Sequence, residues 1–201
     1  MKLYYMPGAC SLASHIVLRE ALIPVELVKV DGRTKKTEDG HDFTEINPLG
    51  YVPALQFDNG EVLTEGAAIM QYAGDQAPMA GLVPSPISFE RYRFQAWLNL
   101  IATELHKSFT PLFVKQLSAE EREEVVARIG TRFDYFERHL ADNEYLMGRE
   151  YTAVDAYLFV MLGWAAHHDI ALDRWPSLKA FRDRIGERPK VQEALQAEGL
   201  A

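Results

Sequence analysis

A single cysteine, Cys10, is the residue of this 201-residue chain whose position most directly predicts chemistry. It follows Pro7-Gly8-Ala9, where a short apolar segment ends and an amphipathic helical pattern begins. The first backbone N–H groups of a helix and the helix dipole favour a thiolate at such a position. With no second cysteine in the chain, any oxidised state must pair with an external thiol or another chain. The alternative is that Cys10 is a small buried hydrophobic residue.

A second group of candidate residues lies in the middle of the chain. Asn99 and His106 are seven residues apart, about two helical turns, so the spacing predicts that they share one face of a helix. His106 and Lys107 would offer a proton-accepting imidazole and a cation to a sulfur in the same cleft. A histidine considered alone is more often a surface residue. His167 and His168 point to different faces of a helix without a complementary ligand cluster, so no metal is expected.

The amino-acid composition argues against some classes of binding partner. The formal net charge is −8 at pH 7 and the pI is near 5.3, which argues against nucleic acid or an anionic membrane as the main partner. The N-terminus reaches Pro7 and Gly8 too early for a signal peptide, and no stretch approaches the roughly 18 apolar residues of a membrane span. One cysteine excludes an internal disulfide framework. The expected location is the cytoplasm.

Short strands and helices alternate from the N-terminus to about residue 76. A helix over residues 11–22, ended by Pro24, separates two strands, and a unit of this length predicts a right-handed crossover and a parallel pair. Asp58-Asn59-Gly60 joins two later strands, and its Asn-Gly pair predicts a type I′ hairpin turn. The expected strands are residues 3–5, 25–30, 52–57 and 61–63, with a second helix over residues 66–76.

Helices account for nearly everything after residue 86. Residues 77–86 contain three prolines and a glycine, and this run predicts a linker between two domains. Ser85-Pro86 is expected to begin a long helix, which Pro111 would bend or end. Later helix starts are marked by two capping-box patterns and two prolines, at Ser118–Glu121, Thr152–Asp155, Pro176 and Pro189. The predicted fold is an α/β domain followed by an all-α domain.

Three motifs of the first domain combine in a characteristic order. Cys10 follows Pro-Gly-Ala, residues 47–53 read Asn-Pro-Leu-Gly-Tyr-Val-Pro, and residues 63–66 read Leu-Thr-Glu-Gly. Together they resemble the glutathione transferases, in detail the bacterial beta class, and the resemblance continues through residues 91–107, 154–159 and 197–200 to cover essentially the whole chain. It implies a homodimer of chains with two domains. Residues 1–80 would form a thioredoxin-like glutathione-binding domain, and residues 86–201 a helical domain that contributes the electrophile pocket and the dimer interface.

The resemblance implies glutathione as a substrate and no metal. Val52-Pro53 would present its backbone to the cysteinyl part of glutathione next to a cis-proline. Glu65 would pair with the γ-glutamyl amino group, while a backbone N–H at Gly66 binds the γ-glutamyl carboxylate. Lys35 would bind the glycine carboxylate, with Lys36 as an adjacent competitor. The set that the resemblance assigns to glutathione is Ala9, Cys10, Lys35, Tyr51, Val52, Pro53, Glu65, Gly66, Asn99, Thr103, Glu104 and His106.

The catalytic residues that the resemblance implies are Cys10, His106 and Lys107. Some contacts of the helical domain with glutathione, at Asn99 and its neighbours, would cross the dimer interface. Tyr51 stands where glutamine is common in the class, so no side-chain amide is available there. An electrophile pocket would be lined by three aromatic residues that could equally belong to the core, Phe109, Phe113 and Trp164.

The predicted function is conjugation of glutathione to a small hydrophobic electrophile, thiol–disulfide exchange through Cys10, or both. Reductive dehalogenation of chlorinated aromatics also falls within what the resemblance implies. One alternative is a non-catalytic protein that binds hydrophobic ligands on the same fold. Another is a mainly glutaredoxin-like reductase. The expected partners are a second copy of the chain and these small molecules, with neither nucleic acid nor membrane.

Overall fold

The computed structural model describes all residues from 1 to 201, which form two compact units. The first contains Met1–Val83 together with Glu187–Ala201, and the second contains Pro84–Gly186. The predicted domains, residues 1–80 and 86–201, differ from these units mainly in the placement of the C-terminal segment.

The sheet of the first unit has four strands in the order β2-β1-β3-β4. β1 pairs with β2 in parallel, while β3 is antiparallel to both β1 and β4. This mixed sheet confirms the predicted β-α-β unit and the hairpin that follows it. The strands are β1 Lys2–Tyr5, β2 Glu26–Lys29, β3 Ala54–Gln56 and β4 Val62–Thr64.

Eight α-helices complete the two units, and their positions confirm an all-helical second half. None of the helices combines the length and apolar character that crossing a membrane requires. A π-helical segment, Ile101–His106, joins α3 to α4. The helices are α1 Ser11–Glu20, α2 Gly66–Gln76, α3 Phe89–Leu100, α4 Lys107–Val114, α5 Ala119–Leu140, α6 Ala153–His167, α7 Pro176–Gly186 and α8 Pro189–Ala197.

Both faces of the sheet are buried, because neighbouring strands place matched apolar residues on each face. On one face Tyr4 lies opposite Val28 and Ala54, and these residues form a cluster with Phe43. On the other face Leu3 and Leu55 are fully buried. α1 packs against α2, β1 and α8, which is why nearly the whole of α1 is buried.

The hairpin turn differs from the predicted type I′ turn. A type I′ turn needs positive φ at both central residues, but in Asp58-Asn59-Gly60 only Gly60 has it, at 87°. Gly60 donates its N–H to the Phe57 carbonyl at 2.9 Å, and Phe57 N donates to the Glu61 carbonyl at 2.8 Å. This is a three-residue loop whose left-handed glycine forms a bulge. Asn59 instead uses its side chain to accept a bond from Glu61 N.

The start of the long helix also differs from the prediction. Ser88, not Ser85, is the N-cap, because its side chain accepts a hydrogen bond from Arg91 N at 3.2 Å. Ser85 precedes the helix and accepts bonds at its carbonyl from Ser88. Pro111 lies inside α4, which ends at Val114. The helix is therefore interrupted before Pro111, by the π-helical segment.

Both predicted capping boxes are present, and the one that begins α6 is buried. Asp155 is fully buried and accepts bonds at one carboxylate oxygen from Thr152 N (2.7 Å) and Thr152 Oγ1 (3.0 Å). Its other oxygen accepts from Leu146 N at 2.8 Å, so Asp155 also holds the loop before the helix. α6 is buried along almost its whole length, so its start orients the core of the second unit.

We predict that Asp155→Ala lowers the free energy of unfolding by about 2–5 kcal/mol, because it leaves two buried backbone N–H groups without an acceptor. Glu121→Ala removes the equivalent acceptor of the α5 capping box at an exposed position and should cost only about 1 kcal/mol. Urea unfolding followed by circular dichroism measures both. Equal losses for the two variants would contradict the role assigned to burial at Asp155.

Candidate active site

The register of the sheet brings four candidate segments to one edge. Tyr4 of β1 lies opposite Ala54 of β3, and Ala54 lies opposite Thr64 of β4. Tyr5 lies beside Lys29 at the end of β2. The loop to Cys10, the Val52-Pro53 pair, the Glu65-Gly66 pair and the loop after β2 therefore all leave the sheet at the same edge.

Cys10 is the N-cap of α1, as its position in the sequence predicts. Its Sγ donates a hydrogen bond to the Val52 carbonyl at 3.3 Å, and the Val52–Pro53 peptide bond is cis. The side chain is half-buried, so the sulfur remains within reach of a ligand. Two opposing influences act on it, because the helix N-terminus favours the thiolate while the carbonyl favours the thiol that can donate to it.

The N-terminus of α2 is the candidate anion-binding position in the same unit. Glu65, the N-cap, is exposed and has a φ of 68°, a strained conformation for a residue with a side chain. Its carbonyl accepts bonds from Ala68 and Ile69, whereas the N–H groups of Gly66 and Ala67, at the start of the helix, have no acceptor within it. No acidic residue lies in the first turn, so these donors can bind a carboxylate.

The two candidate lysines, Lys35 and Lys36, have different surroundings in the structure. Lys35 has a φ of 58°, and its aliphatic carbons pass about 3.3–3.6 Å from where a Cβ of Gly50 would be. Its stem thus lies along the loop that leads to Val52, while Lys36 is exposed. Tyr51 is 62% exposed, and its carbonyl accepts a bond from Asn47 Nδ2 at 2.7 Å.

His106 in the second unit is held by α6. Its Nδ1 lies 2.7 Å from the Tyr157 hydroxyl, and its ring packs edge-on against Trp164 with centroids 4.9 Å apart. Burial, and then the neighbouring Lys107 charge, lowers the pKa of His106 to about 4. The imidazole is therefore neutral near pH 7, so it can exchange hydrogen bonds there but is a weak proton acceptor.

Asn99 and His106 do not share one face of a helix, although their spacing in an α-helix would place them on the same face. The π-helical segment between them widens the turn, so seven residues no longer return to the same face. Asn99 is exposed, whereas His106 is turned toward α6. Thr103 is exposed and donates its hydroxyl to the Asn99 carbonyl at 2.9 Å. The Glu104 carboxylate pairs with Arg132 at 2.8 Å.

The three predicted pocket residues differ in exposure. Phe109 is fully buried and is a core residue of the second unit. Phe113 is 47% exposed and packs against Trp164 and His168, with ring centroids 4.9 and 4.4 Å apart. Phe113 is thus the member of this set that a ligand can reach directly. His167 and His168 lie in the same aromatic cluster, and no group of three or more potential ligands that could hold a metal is present.

Comparison with known proteins identifies the family. The family model of the glutathione S-transferase N-terminal domain matches residues 1–75, and that of the C-terminal domain matches residues 100–189. The chain belongs to the glutathione S-transferase family. It is 48% identical over 200 residues to glutathione S-transferase GstA of Escherichia coli O157:H7, with all of both chains covered.

Solved structures of similar proteins indicate the class within the glutathione S-transferase family. A bacterial beta class glutathione S-transferase from Sphingomonas chungbukensis superposes with a TM-score of 0.96 at 46% identity, covering all of both chains. A sphingomonad glutathione S-transferase complexed with glutathione gives the same TM-score at 44% identity and the same coverage. The first unit of this transferase is thus the thioredoxin-like domain that the motifs predicted.

Sequence reasoning overlooked a buried polar network behind the Cys10 loop of this transferase. Glu198 accepts bonds from Gly8 N at 3.0 Å and from His15 Nδ1 at 2.9 Å, and its side chain is fully buried. Arg19 can only donate, and its Nε lies 2.7 Å from His15 Nε2, so the proton of the neutral imidazole is on Nδ1. The C-terminal segment thereby fixes the loop two residues before Cys10. The only feature of the sequence that could have indicated this network is the position of Glu198 in the C-terminal motif, residues 197–200.

We predict that the contribution of His106 to stability depends on pH. Its folded pKa of about 4 lies below the unfolded value, so the unfolded chain binds more protons between these values and stability is lost as pH falls through this window. The difference in unfolding free energy between wild type and His106→Gln should shrink by about 2 kcal/mol from pH 7.5 to pH 5. Chemical unfolding at both pH values measures it. A difference that does not change with pH would contradict the buried, neutral imidazole.

Proposed function

We propose that this transferase binds reduced glutathione in the cytoplasm and uses Cys10 in its reaction. The reaction is conjugation of glutathione to electrophiles, thiol–disulfide exchange, or both. The observation that carries the proposal is the contact of Cys10 Sγ with the Val52 carbonyl at 3.3 Å. A reactive sulfur at the start of α1 thus adjoins the backbone edge next to Pro53. The similar sphingomonad glutathione S-transferase, which is complexed with glutathione, supports the same substrate.

The proposed glutathione site uses main-chain groups and two charged side chains. The Val52 backbone would pair with the cysteinyl part of the tripeptide, and the first N–H groups of α2 would bind the γ-glutamyl carboxylate. Glu65, which is exposed at the same helix start, would pair with the amino group. Lys35 is preferred over Lys36 for the glycine carboxylate because its stem lies along the loop before Val52.

Either reaction begins at a sulfur. In exchange, the Cys10 thiolate attacks one sulfur of glutathione disulfide, forms the mixed disulfide and releases the other glutathione as a thiolate. In conjugation, the glutathione thiolate displaces a leaving group from the electrophile, and Cys10 helps to position it. The roles of His106 and Lys107 in promoting either thiolate stay predictions, as do the electrophile pocket at Phe113 and Trp164 and reductive dehalogenation.

We expect folded wild-type protein incubated with glutathione disulfide to gain one glutathionyl group that a reductant removes, because Cys10 lies at a helix N-terminus. Intact-mass spectrometry measures the adduct, and Cys10→Ser is the matched control that should stay unmodified. Isothermal titration with reduced glutathione and an assay with an activated aryl halide complete the test. Absence of the adduct would overturn disulfide exchange. Absence of glutathione binding would overturn the proposed function and favour a hydrophobic-ligand carrier.

The proposal includes a homodimer in which Asn99 of one subunit serves the glutathione site of the other. We expect the Asn99→Ala and Cys10→Ala homodimers each to lose most activity. A heterodimer of one subunit of each kind would then carry both lesions in one site and none in the other, so about half of wild-type activity should remain. Tandem affinity tags isolate the heterodimer for steady-state assays. Activity equal to the mean of the two mutant homodimers would contradict the shared site.

A further inference from the structure

Two aromatic residues of α6 hold the His106 ring. Tyr157 and Trp164 are seven residues apart, about two turns, so they lie on the same face of this helix. Tyr157 is 5% exposed and its hydroxyl oxygen lies 2.7 Å from His106 Nδ1, while Trp164 packs edge-on against the same ring. The buried capping box of Asp155 begins α6 two residues before Tyr157, so the core of the second unit fixes the position of this hydroxyl.

The second ring nitrogen of His106, Nε2, is accessible from outside the chain. The hydrogen bond at Nδ1 is the only one that the imidazole makes, and the buried polar atoms without a partner do not include Nε2. The ring therefore turns one nitrogen toward α6 and leaves the other open to a ligand. Because a neutral imidazole carries one ring proton, the bond at Nδ1 decides whether Nε2 donates or accepts.

The chemistry of the pair favours Tyr157 as the donor. A phenol O–H is more acidic than the N–H of a neutral imidazole, and an imidazole nitrogen is a stronger base than a phenol oxygen, so the stronger bond runs from the hydroxyl to Nδ1. The separation of 2.7 Å is typical of an O–H donor and lies at the short end of the range for an N–H donor. Burial and the Lys107 charge lower the pKa of His106, so the ring is neutral near pH 7 and its single proton is on Nε2.

We infer that Tyr157 is a positioning residue that makes His106 a hydrogen-bond donor, through Nε2, for the sulfur of bound glutathione. This inference rests on the proposed function, in which His106 promotes the glutathione thiolate. An N–H donor stabilises a thiolate relative to a thiol without taking its proton, which passes to solvent. His106 then acts as a donor, and not as the proton acceptor that its residue type first indicated.

Nuclear magnetic resonance observes the position of the ring proton directly. In long-range proton–nitrogen spectra of protein with isotope-labelled histidine, the protonated and bare nitrogens of a neutral imidazole are well separated. We expect the proton on Nε2 of His106 in the wild type, with His106→Gln to assign the signals. His15 is the internal contrast, because its contacts with Glu198 and Arg19 place the proton on Nδ1. Tyr157→Phe should add a fraction of the Nδ1–H form at His106.

Steady-state kinetics test the consequence for the reaction. Tyr157→Phe should lower kcat about three- to tenfold and leave the Kd for glutathione unchanged, because the lost bond acts at the sulfur and not on the rest of the tripeptide. Isothermal titration gives this Kd, and its stoichiometry corrects kcat for any unfolded protein. In the His106→Gln background the same change should have no further effect on kcat. Tyr145→Phe removes the hydroxyl of a partly buried tyrosine outside the His106 contact and should leave kcat unchanged.

Several results would overturn the inference while leaving the proposed function intact. One is a proton on Nδ1 of His106 in the wild type, and another is a proton position that Tyr157→Phe does not change. Wild-type kcat in Tyr157→Phe or in His106→Gln would also overturn it, as would an undiminished effect of Tyr157→Phe in the His106→Gln background. If the wild-type protein itself fails to bind glutathione, the proposed function fails instead.

Discussion

The direction of the strands around β1 is the constraint on which the candidate site depends. Because β1 is parallel to β2 and antiparallel to β3, the end of β1 meets the end of β2 and the start of β3. The end of β4 then lies at the same edge, where α2 begins. Reversing any one of these pairings would move the loop after β2, Pro53 or Gly66 to the edge opposite Cys10. The segments of the candidate site would then no longer lie together.

Much of the proposed site consists of backbone groups held by distant side chains. Val52 and the α2 N-terminus use main-chain atoms, so their geometry depends on what supports the chain rather than on their own side chains. Glu198 supports the Cys10 loop through Gly8 N, His15 holds the carboxylate, and Arg19 in turn holds His15. This explains why the segment after α7 belongs to the first unit although it follows the helical half in sequence.

Local electrostatics differ between Cys10 and His106, the two residues with the strongest candidate chemistry. The α1 N-terminus favours a Cys10 thiolate, but the Val52 carbonyl stabilises the thiol. His106 has a pKa lowered to about 4 by burial, so near pH 7 its imidazole can form a directed hydrogen bond but carries no positive charge.

Local patterns in the sequence determined the order of strands and helices, the capping box at Asp155 and the chemistry expected of Cys10, because these depend on residues close together in the chain. Only the tertiary structure decided the π-helical turn that separates Asn99 from His106, the different surroundings of Lys35 and Lys36, and the cap at Ser88. It also decided which polar groups are buried, among them Glu198 and the hydroxyl of Ser14 beside Gly66. Periodicity predicts which face of an element is buried, but not which side chain from a distant segment meets it there.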